Sequence, residues 1–363
     1  MTAENSGAGS SGRRTKIAAL WAGLTRPSVL ALGVAGALNV ATLAAVGLFV
    51  DRDFVARHGE LFAANPVDYD AMVTQRIAAL AEHPPVARTV VVLGSSITLA
   101  AILEPELNAA LASHGLADMQ VAKLCAGRQS PLDALALVEQ LPRQLRGVVV
   151  AGVTAESLTH SAATAVSIGG AARVGFRSDA YDQILFEAGF PQPPRASLYA
   201  IDNAAFLSAR FPRLVVNLLT GRRVRFHDSN YADRSPSPEQ FEVQGRLYDR
   251  MPPAYEANAQ RNLRLIERLR LLTRERGLQL LLVAPPVNPA FSARYPAVAR
   301  LRELHATRME MARKGAGPTV LKAALADRVD GADFFDGIHL SNRRVAQAYA
   351  DWLAGHIEEA IDG

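Results

Sequence analysis

Four short apolar segments, three of them followed by a stretch with helical spacing, constrain the fold of this chain more than any other feature. They read RTVVVLG at 88–94, MQVAKLCAG at 119–127, GVVVAGV at 147–153 and LQLLLVAPP at 278–286. Short apolar strands that alternate with helices are typical of a parallel sheet buried between two helical layers. The sequence therefore predicts an α/β fold, a three-layer α/β/α arrangement around a central parallel sheet.

The residues that start and end helices between these segments, and the region without alternation, predict the domain organisation. Ser130 followed by Pro131 starts a helix that is predicted over 130–145, and Gly115 closes the helix that follows the first strand. The alternation lapses at about 155–253, which we interpret as an inserted lobe, partly helical around 197–220. Residues 86–363 then form one domain with this insertion, and 51–85 form a helical stalk before it.

An apolar stretch near the N-terminus predicts a membrane anchor. Residues 28–50 contain no charged side chain over 23 positions, and about 20 apolar residues suffice for a helix to cross a bilayer. Residues 1–27 carry +3 of the net charge of +4, so this tail is expected in the cytoplasm and the rest of the chain outside it, in the periplasm. A cleaved signal peptide and a buried soluble helix are the competing interpretations.

The remaining composition excludes several classes of function. Beyond residue 27 the net charge is only +1, so no basic surface for nucleic acid is expected. Cys125 is the single cysteine, which excludes an intramolecular disulfide and a cysteine-cluster metal site. The histidines show no metal-ligand spacing, and we expect neither a metal nor a cofactor.

Two short motifs at opposite ends of the predicted domain carry the chemistry. Gly94-Ser95-Ser96 follows the first strand, where the carboxyl end of a parallel sheet commonly binds ligands. Asp336 and His339 lie in the last loop before the final helix, spaced so that a carboxylate can orient an imidazole. Each motif alone is also explained by a serine helix cap or by a surface histidine. Together they predict a nucleophilic serine with its base.

These motifs resemble the SGNH (GDSL-like) hydrolase superfamily over about 88–152 and 277–357. Within this superfamily the chain is similar to the DltD-like and alginate O-acetylation-like proteins, which are membrane-anchored partners of membrane-bound O-acyltransferases. The similarity rests on the apolar stretch at 28–50 and on the motifs GSS, PVN and DGIHLS. The resemblance implies that Ser96 is the nucleophile, His339 the base and Asp336 its orienting carboxylate.

The same resemblance implies the polar groups around the nucleophile. Gly127 corresponds to the block that gives an oxyanion-hole N–H. The superfamily's G-x-N-D block is replaced here by AGVTAES, which contains no Asn, so Thr154 is the candidate substitute. Asn288, in PVN, is expected either in the same cleft or as an ordinary turn residue.

Three functions follow from this pattern. The first is an extracytoplasmic acyl-transfer enzyme that modifies an envelope or exported glycan together with a membrane-bound O-acyltransferase. The second is an acyl or acetyl esterase of the same fold. The third is a non-catalytic scaffold for an acyltransferase or glycan, which the missing Asn favours and the complete Ser, His and Asp set disfavours.

Overall fold

The computed structural model describes residues 32–34, 36–37, 49–164, 173–187, 189, 198–314, 320–321 and 328–362. The chain divides into two compact units between Asp51 and Arg52, and the elements named below belong to the second unit. The predicted tail at 1–27 and most of the predicted membrane span at 28–50 lie outside the described residues. Within the described part of the chain, no helix combines the length and hydropathy that a membrane crossing requires.

The strands and helices follow one another in the predicted alternation. The strands are β1 Thr89–Leu93, β2 Gln120–Lys123, β3 Gly147–Gly152, β4 Gln279–Val283 and the two-residue β5 Val320–Leu321. The helices are α1 Arg52–His58, α2 Tyr69–Glu82, α3 Ser96–Ala101, α4 Glu104–Ser113, α5 Pro131–Gln140, α6 Asp179–Glu187, α7 Tyr199–Asp202, α8 Ala204–Thr220, α9 Pro238–Tyr248, α10 Met251–Glu275, α11 Pro289–Arg294, α12 Pro296–Lys314 and α13 Arg343–Asp362.

The central sheet is parallel, with four strands in the order β2-β1-β3-β4 and β5 beside β4. Alternate side chains of β1, β3 and β4 enter two different cores. Val91 and Leu93 of β1 join one apolar cluster, and Val90 and Val92 join the other. Helices cover both faces, since α5 and α10 contribute to the first cluster and α4 and α13 to the second. The predicted α/β class with a parallel sheet is confirmed.

The strand order places a switch point beside β1. From β1 the chain proceeds to β2 on one side, and it then returns to β3 and β4 on the other. Ligands of open α/β sheets bind where the order reverses, beyond the carboxyl ends of the strands. The segment that follows β1 is therefore in the position where a site is expected.

Two predicted boundaries need correction. Residues 51–85 are helical, but Val73, Ile77 and Leu80 of α2 are buried in the first core cluster, so this segment is part of the domain and not a stalk. Helix α5 ends at Gln140, short of the expected 145. Leu141 precedes Pro142 and is extended at ψ 142°, because a proline disfavours helical backbone in the residue before it.

The region 155–253 also joins the domain core. Helices α7 and α8 match the helix expected around 197–220. Leu158, Phe176, Ile184 and Tyr248 are buried in the first core cluster, although they come from the presumed insertion. These parts of the segment therefore share the core of the domain, and its interpretation as an insertion stays a prediction.

Candidate active site

The turn after β1 gives its two serines different roles. Gly94 has φ +151°, a backbone conformation that favours glycine, and a Cβ there would overlap the side chain of Thr98. Ser95 is the N-cap of α3, and its Oγ accepts the N–H of Ile97 at 3.4 Å. Ser96 is the first helical residue and is half-buried. Its hydroxyl is therefore the one directed away from the cap.

Ser96, His339 and Asp336 are brought together in a single hydrogen-bonded row. His339 Nε2 lies 2.9 Å from Ser96 Oγ, and His339 Nδ1 lies 2.7 Å from Asp336 Oδ2. The other carboxylate oxygen accepts the backbone N–H groups of Ile338 at 2.9 Å and of His339 at 2.8 Å. Because Nδ1–H donates to the carboxylate, Nε2 is left to accept the serine proton.

The electrostatics of this row keep Asp336 ionised. Burial raises the pKa of the Asp336 carboxyl, but the hydrogen bond and charge of His339 and the two backbone N–H groups outweigh burial and hold that pKa below its ordinary value. Asp336 is 4 % exposed and His339 6 % exposed. The pair is thus shielded from water while the serine remains accessible.

The loop that carries Asp336 and His339 is fixed by its own backbone. Phe334 and Leu340 form an antiparallel bridge, and the N–H of Phe335 donates to the carbonyl of His339 at 2.9 Å. The N–H of Gly337 donates to Gln244 of α9 at 2.8 Å. These contacts set the position of the imidazole before any substrate binds.

Asn288 supports that loop. Its Nδ2 donates to the carbonyl of Asp336 at 3.0 Å, its Oδ1 accepts the N–H of Ala290 at 3.0 Å, and the residue is 1 % exposed. It is the N-cap of α11, and it fixes the loop that carries Asp336 and His339 to the start of that helix. Its expected contact with substrate stays a prediction, but the hydrogen bonds that its side chain makes are structural.

Gly127 lies beside the serine turn. The chain beyond β2 continues the ladder along β1, since the N–H of Ala126 donates to the carbonyl of Gly94 at 3.1 Å. The carbonyl of Gly127 accepts a hydrogen bond from Arg173, which also pairs with Asp70 at 2.7 Å. An arginine anchored by a carboxylate thus orients the backbone at the expected oxyanion position.

Thr154 lies beyond the end of β3 and is engaged locally. Its backbone N–H and its Oγ1 each pair with Ser157 at 3.3 Å, and the Ser157 hydroxyl donates to the carbonyl of Thr154 at 2.7 Å. These bonds close a tight turn and leave the residue 6 % exposed. The role of Thr154 as a substitute oxyanion donor stays a prediction.

The side chain of Gln129 fixes the serine turn by hydrogen bonds to two backbone groups. Its Oε1 accepts the N–H of Gly94, and its Nε2 donates to the carbonyl of Leu124 at 2.8 Å. The residue is 4 % exposed, so its side chain belongs to the structure of the turn. From the sequence, Gln129 could equally bind a polar substrate or be a solvated loop residue, because nothing in RQSP shows which backbone group the amide reaches.

Tyr231 is the residue of this site that sequence reasoning missed. Its ring stacks on the imidazole of His339, with centroids 3.9 Å apart and planes 4° from parallel. Burial and the Asp336 charge raise the pKa of its phenol, so the hydroxyl stays neutral. It comes from the segment interpreted as an insertion, and no local motif marks it.

A buried charge pair attaches the Tyr231 segment to the sheet. Lys123 of β2 is 0 % exposed, and its Nζ donates to Asp228 Oδ1 at 2.9 Å, to the Asp228 carbonyl at 3.1 Å and to the Leu99 carbonyl at 2.9 Å. Asp228 Oδ2 accepts the N–H of Glu104 at 3.0 Å. A lysine between the apolar residues Ala122 and Leu124 was the one sequence signal for this contact, because a buried charge needs a partner.

A serine, an imidazole and a carboxylate in this geometry can activate a hydroxyl for attack on an ester carbonyl. In the described ranges, no three His, Cys, Asp or Glu side chains come close enough to bind a metal ion jointly. No family model and no curated protein matches this chain. The fold and the site define an α/β protein with a Ser-His-Asp arrangement at the switch point of a parallel sheet.

Proposed function

We propose that this chain is an acyl-transfer enzyme in which Ser96 is the nucleophile. The observation that carries the proposal is the unbroken row from Asp336 through His339 to Ser96, with distances of 2.7 and 2.9 Å. Ser96 Oγ attacks the acyl carbonyl while its proton passes to His339 Nε2. That proton then goes to the departing group, which leaves an acyl ester on Ser96.

The second half of the reaction returns the site to its starting state. A sugar hydroxyl of the acceptor gives its proton to His339 and attacks the acyl-serine carbonyl. The C–O bond to Ser96 breaks, and the proton moves to Ser96 Oγ. The negative oxygen of each intermediate is proposed to be bound by the N–H groups of Ser96 and Gly127, with Thr154 in place of the superfamily's Asn.

The sequence motifs and the parallel sheet support membership of the SGNH superfamily. The uncharged stretch at 28–50 supports a single-pass anchor in the cytoplasmic membrane, with the domain in the periplasm. On this proposal a membrane-bound O-acyltransferase supplies the acyl group, and an envelope or exported glycan accepts it. An alkaline phosphatase fused after Val50 should then be active, and activity only in a cytoplasmic reporter would contradict this location.

The experiment that tests the reaction is a measurement of acyl groups on the envelope or exported polymer. A deletion strain should lose them, wild-type protein should restore them, and Ser96→Ala and His339→Ala should not. Ser95→Ala is the matched control, because it removes the neighbouring hydroxyl at a cost of about 1 kcal/mol in helix capping but leaves the triad intact. It should restore acylation.

The alternatives give different results in the same strains. If the deletion raises the acyl content, water and not a sugar attacks the acyl-serine, and the protein is an esterase. If Ser96→Ala restores acylation as well as the wild type does, the protein is a scaffold and the catalytic proposal is wrong.

A further inference from the structure

Helix α8 presents an apolar outer face. Its inner face is buried through Phe206, Leu207, Leu214 and Asn217. The opposite stripe also consists of small and apolar residues, and all of its members are exposed. They are Ala205, Ala209, Pro212, Val216 and Leu219. Leu219 is 83 % exposed and Val216 is 50 % exposed. Ile201 of α7, which precedes α8, is 60 % exposed. A helix that is apolar on both faces normally has a partner on each.

The surroundings of this face are basic. Between 203 and 227 the sequence contains five arginines and no acidic residue. Arg213, Arg222 and Arg225 are exposed at or beyond the C-terminal half of α8. Arg223 lies 3.7 Å from Glu60, and its side chain is still 69 % exposed. Apolar side chains beside arginines are the composition of a surface that lies in the interface of an anionic lipid layer.

The inner, buried face of α8 packs on the start of the domain. Asn217 Nδ2 donates to the carbonyls of Leu61 at 2.9 Å and of Ala63 at 3.1 Å, and the rings of Phe62 and Phe206 are 5.7 Å apart. The seven-residue α1, about 10 Å long, and the start of the short 3-10 turn Gly59–Phe62 separate Arg52 from this contact. Helix α8 is therefore in contact with the first elements of the unit that begins at Arg52.

We propose that the outer face of α8 rests on an anionic lipid surface, with Pro212, Val216 and Leu219 in the interface and the arginines on the headgroups. This inference depends on the membrane attachment in the proposed function, but not on the reaction. Its consequence is a fixed orientation of the domain, which holds the site at a constant height above the membrane from which the acyl group is supplied.

The test uses nitroxide labels on the full-length chain in lipid vesicles. Leu219→Cys carries the reporting label, and Leu247→Cys is the matched control, since Leu247 is 61 % exposed on α9, which packs on α10 and α12. Cys125 does not compete for the label, because it is 0 % exposed and burial raises the pKa of its thiol to about 12. Collisions with oxygen report lipid, and collisions with a soluble nickel complex report water.

The expected result is a several-fold higher ratio of oxygen to nickel collisions at Leu219 than at Leu247 in vesicles containing phosphatidylglycerol. The difference should shrink in purely zwitterionic vesicles and after Arg213→Glu, Arg222→Glu and Arg225→Glu together. A label at Leu219 that stays in water overturns the lipid assignment and leaves the face to a protein partner. If the difference between the two labels is the same in zwitterionic and in anionic vesicles, the proposal that α8 binds an anionic lipid surface is overturned.

The Ser96→Ala chain should give the same label signal, because the measurement does not involve the reaction. A lipid-immersed label with no effect of Ser96→Ala on acylation would contradict only the proposed function. A water-exposed label on a chain whose Ser96 reacts with acyl donors would contradict only the inference about α8.

Discussion

At the scale of single residues, the two adjacent hydroxyls after β1 are distinguished by backbone geometry. The extended backbone of Ser95, at ψ −173°, turns its Oγ toward the N–H of Ile97, which is the usual N-cap arrangement. One residue later the backbone is helical, and the side chain of Ser96 leaves the turn on the other side. From the sequence, a serine helix cap and a nucleophile are alternative interpretations of this motif. The structure assigns the cap to Ser95, and the role of Ser96 as nucleophile stays a prediction.

Tyr231 should act through the position and charge of the imidazole. A parallel ring at 3.9 Å restricts the rotation of His339 and attracts the positive charge that the ring gains in the reaction. We expect Tyr231→Leu to slow the labelling of Ser96 by a fluorophosphonate about fivefold, which corresponds to about 1 kcal/mol. Tyr231→Phe keeps the ring and should change the rate little.

A ring-current measurement separates this role from a loss of packing. The ring protons of His339 should be shifted upfield in the wild type and in Tyr231→Phe, and the shift should disappear in Tyr231→Leu. Slow labelling in Tyr231→Phe, or an unchanged proton shift in Tyr231→Leu, would contradict the stacking account.

The lowered pKa of Asp336 predicts that the free energy of unfolding depends on pH in the acid range. Its folded pKa is below the ordinary value of 3.8, so its ionised form stabilises the folded state above that pH, and this contribution is lost as pH falls through the folded pKa. We expect the free energy of unfolding of Asp336→Asn to be lower than that of the wild type at pH 6. The gap should narrow below pH 3.8. Urea unfolding at several pH values measures it, and a constant gap would contradict the assignment.

At the scale of elements, helix α3 packs against the ends of β1 and β3 through the side chain of Thr98, which lies between Gly94 and Gly152. A Cβ on Gly94 or on Gly152 would overlap the side chain of Thr98, which is 0 % exposed. Thr98 Oγ1 has no hydrogen-bond partner among the described residues. The side chain therefore acts by its shape and not by its hydroxyl.

This contact predicts different effects of two small substitutions on the free energy of unfolding. Thr98→Val keeps the shape and removes an unpaired buried hydroxyl, so the free energy of unfolding should stay within about 1 kcal/mol of the wild type or rise. Gly152→Ala adds a methyl group without space and should lower it by about 2 kcal/mol. Denaturant unfolding compares the two, and a large loss in Thr98→Val would show that the hydroxyl has a partner.

The sequence predicted the elements better than their contacts. Strands β1 to β4 could be predicted because buried parallel strands are short apolar runs, and α4 and α5 because Gly115, Ser130 and Pro131 mark their ends. The packing of α2 in the core could not, since its apolar spacing suits any helix that covers one face. The triad could be predicted from spacing, but Tyr231 could not, because stacking depends on where a distant segment folds.

At the scale of the whole molecule, Lys123 and Asp228 join segments 105 residues apart in sequence. Lys123→Met should lower the free energy of unfolding by about 3 kcal/mol, because it leaves the Asp228 carboxylate, 25 % exposed, without its partner. Lys123→Met with Asp228→Asn should lose less than the sum of the single changes, since the second removes the unpaired charge. Urea unfolding of the three variants measures the coupling, and additive losses would contradict it.

The central claim is that Ser96 becomes covalently acylated, and the mass of the intact protein tests it most directly. After incubation of the purified full-length chain with p-nitrophenyl acetate, peptide mapping should locate one acetyl group on Ser96. The adduct should be present in Ser95→Ala and absent from Ser96→Ala and His339→Ala. An adduct of equal yield in Ser96→Ala, or its location on any other residue, would contradict the account.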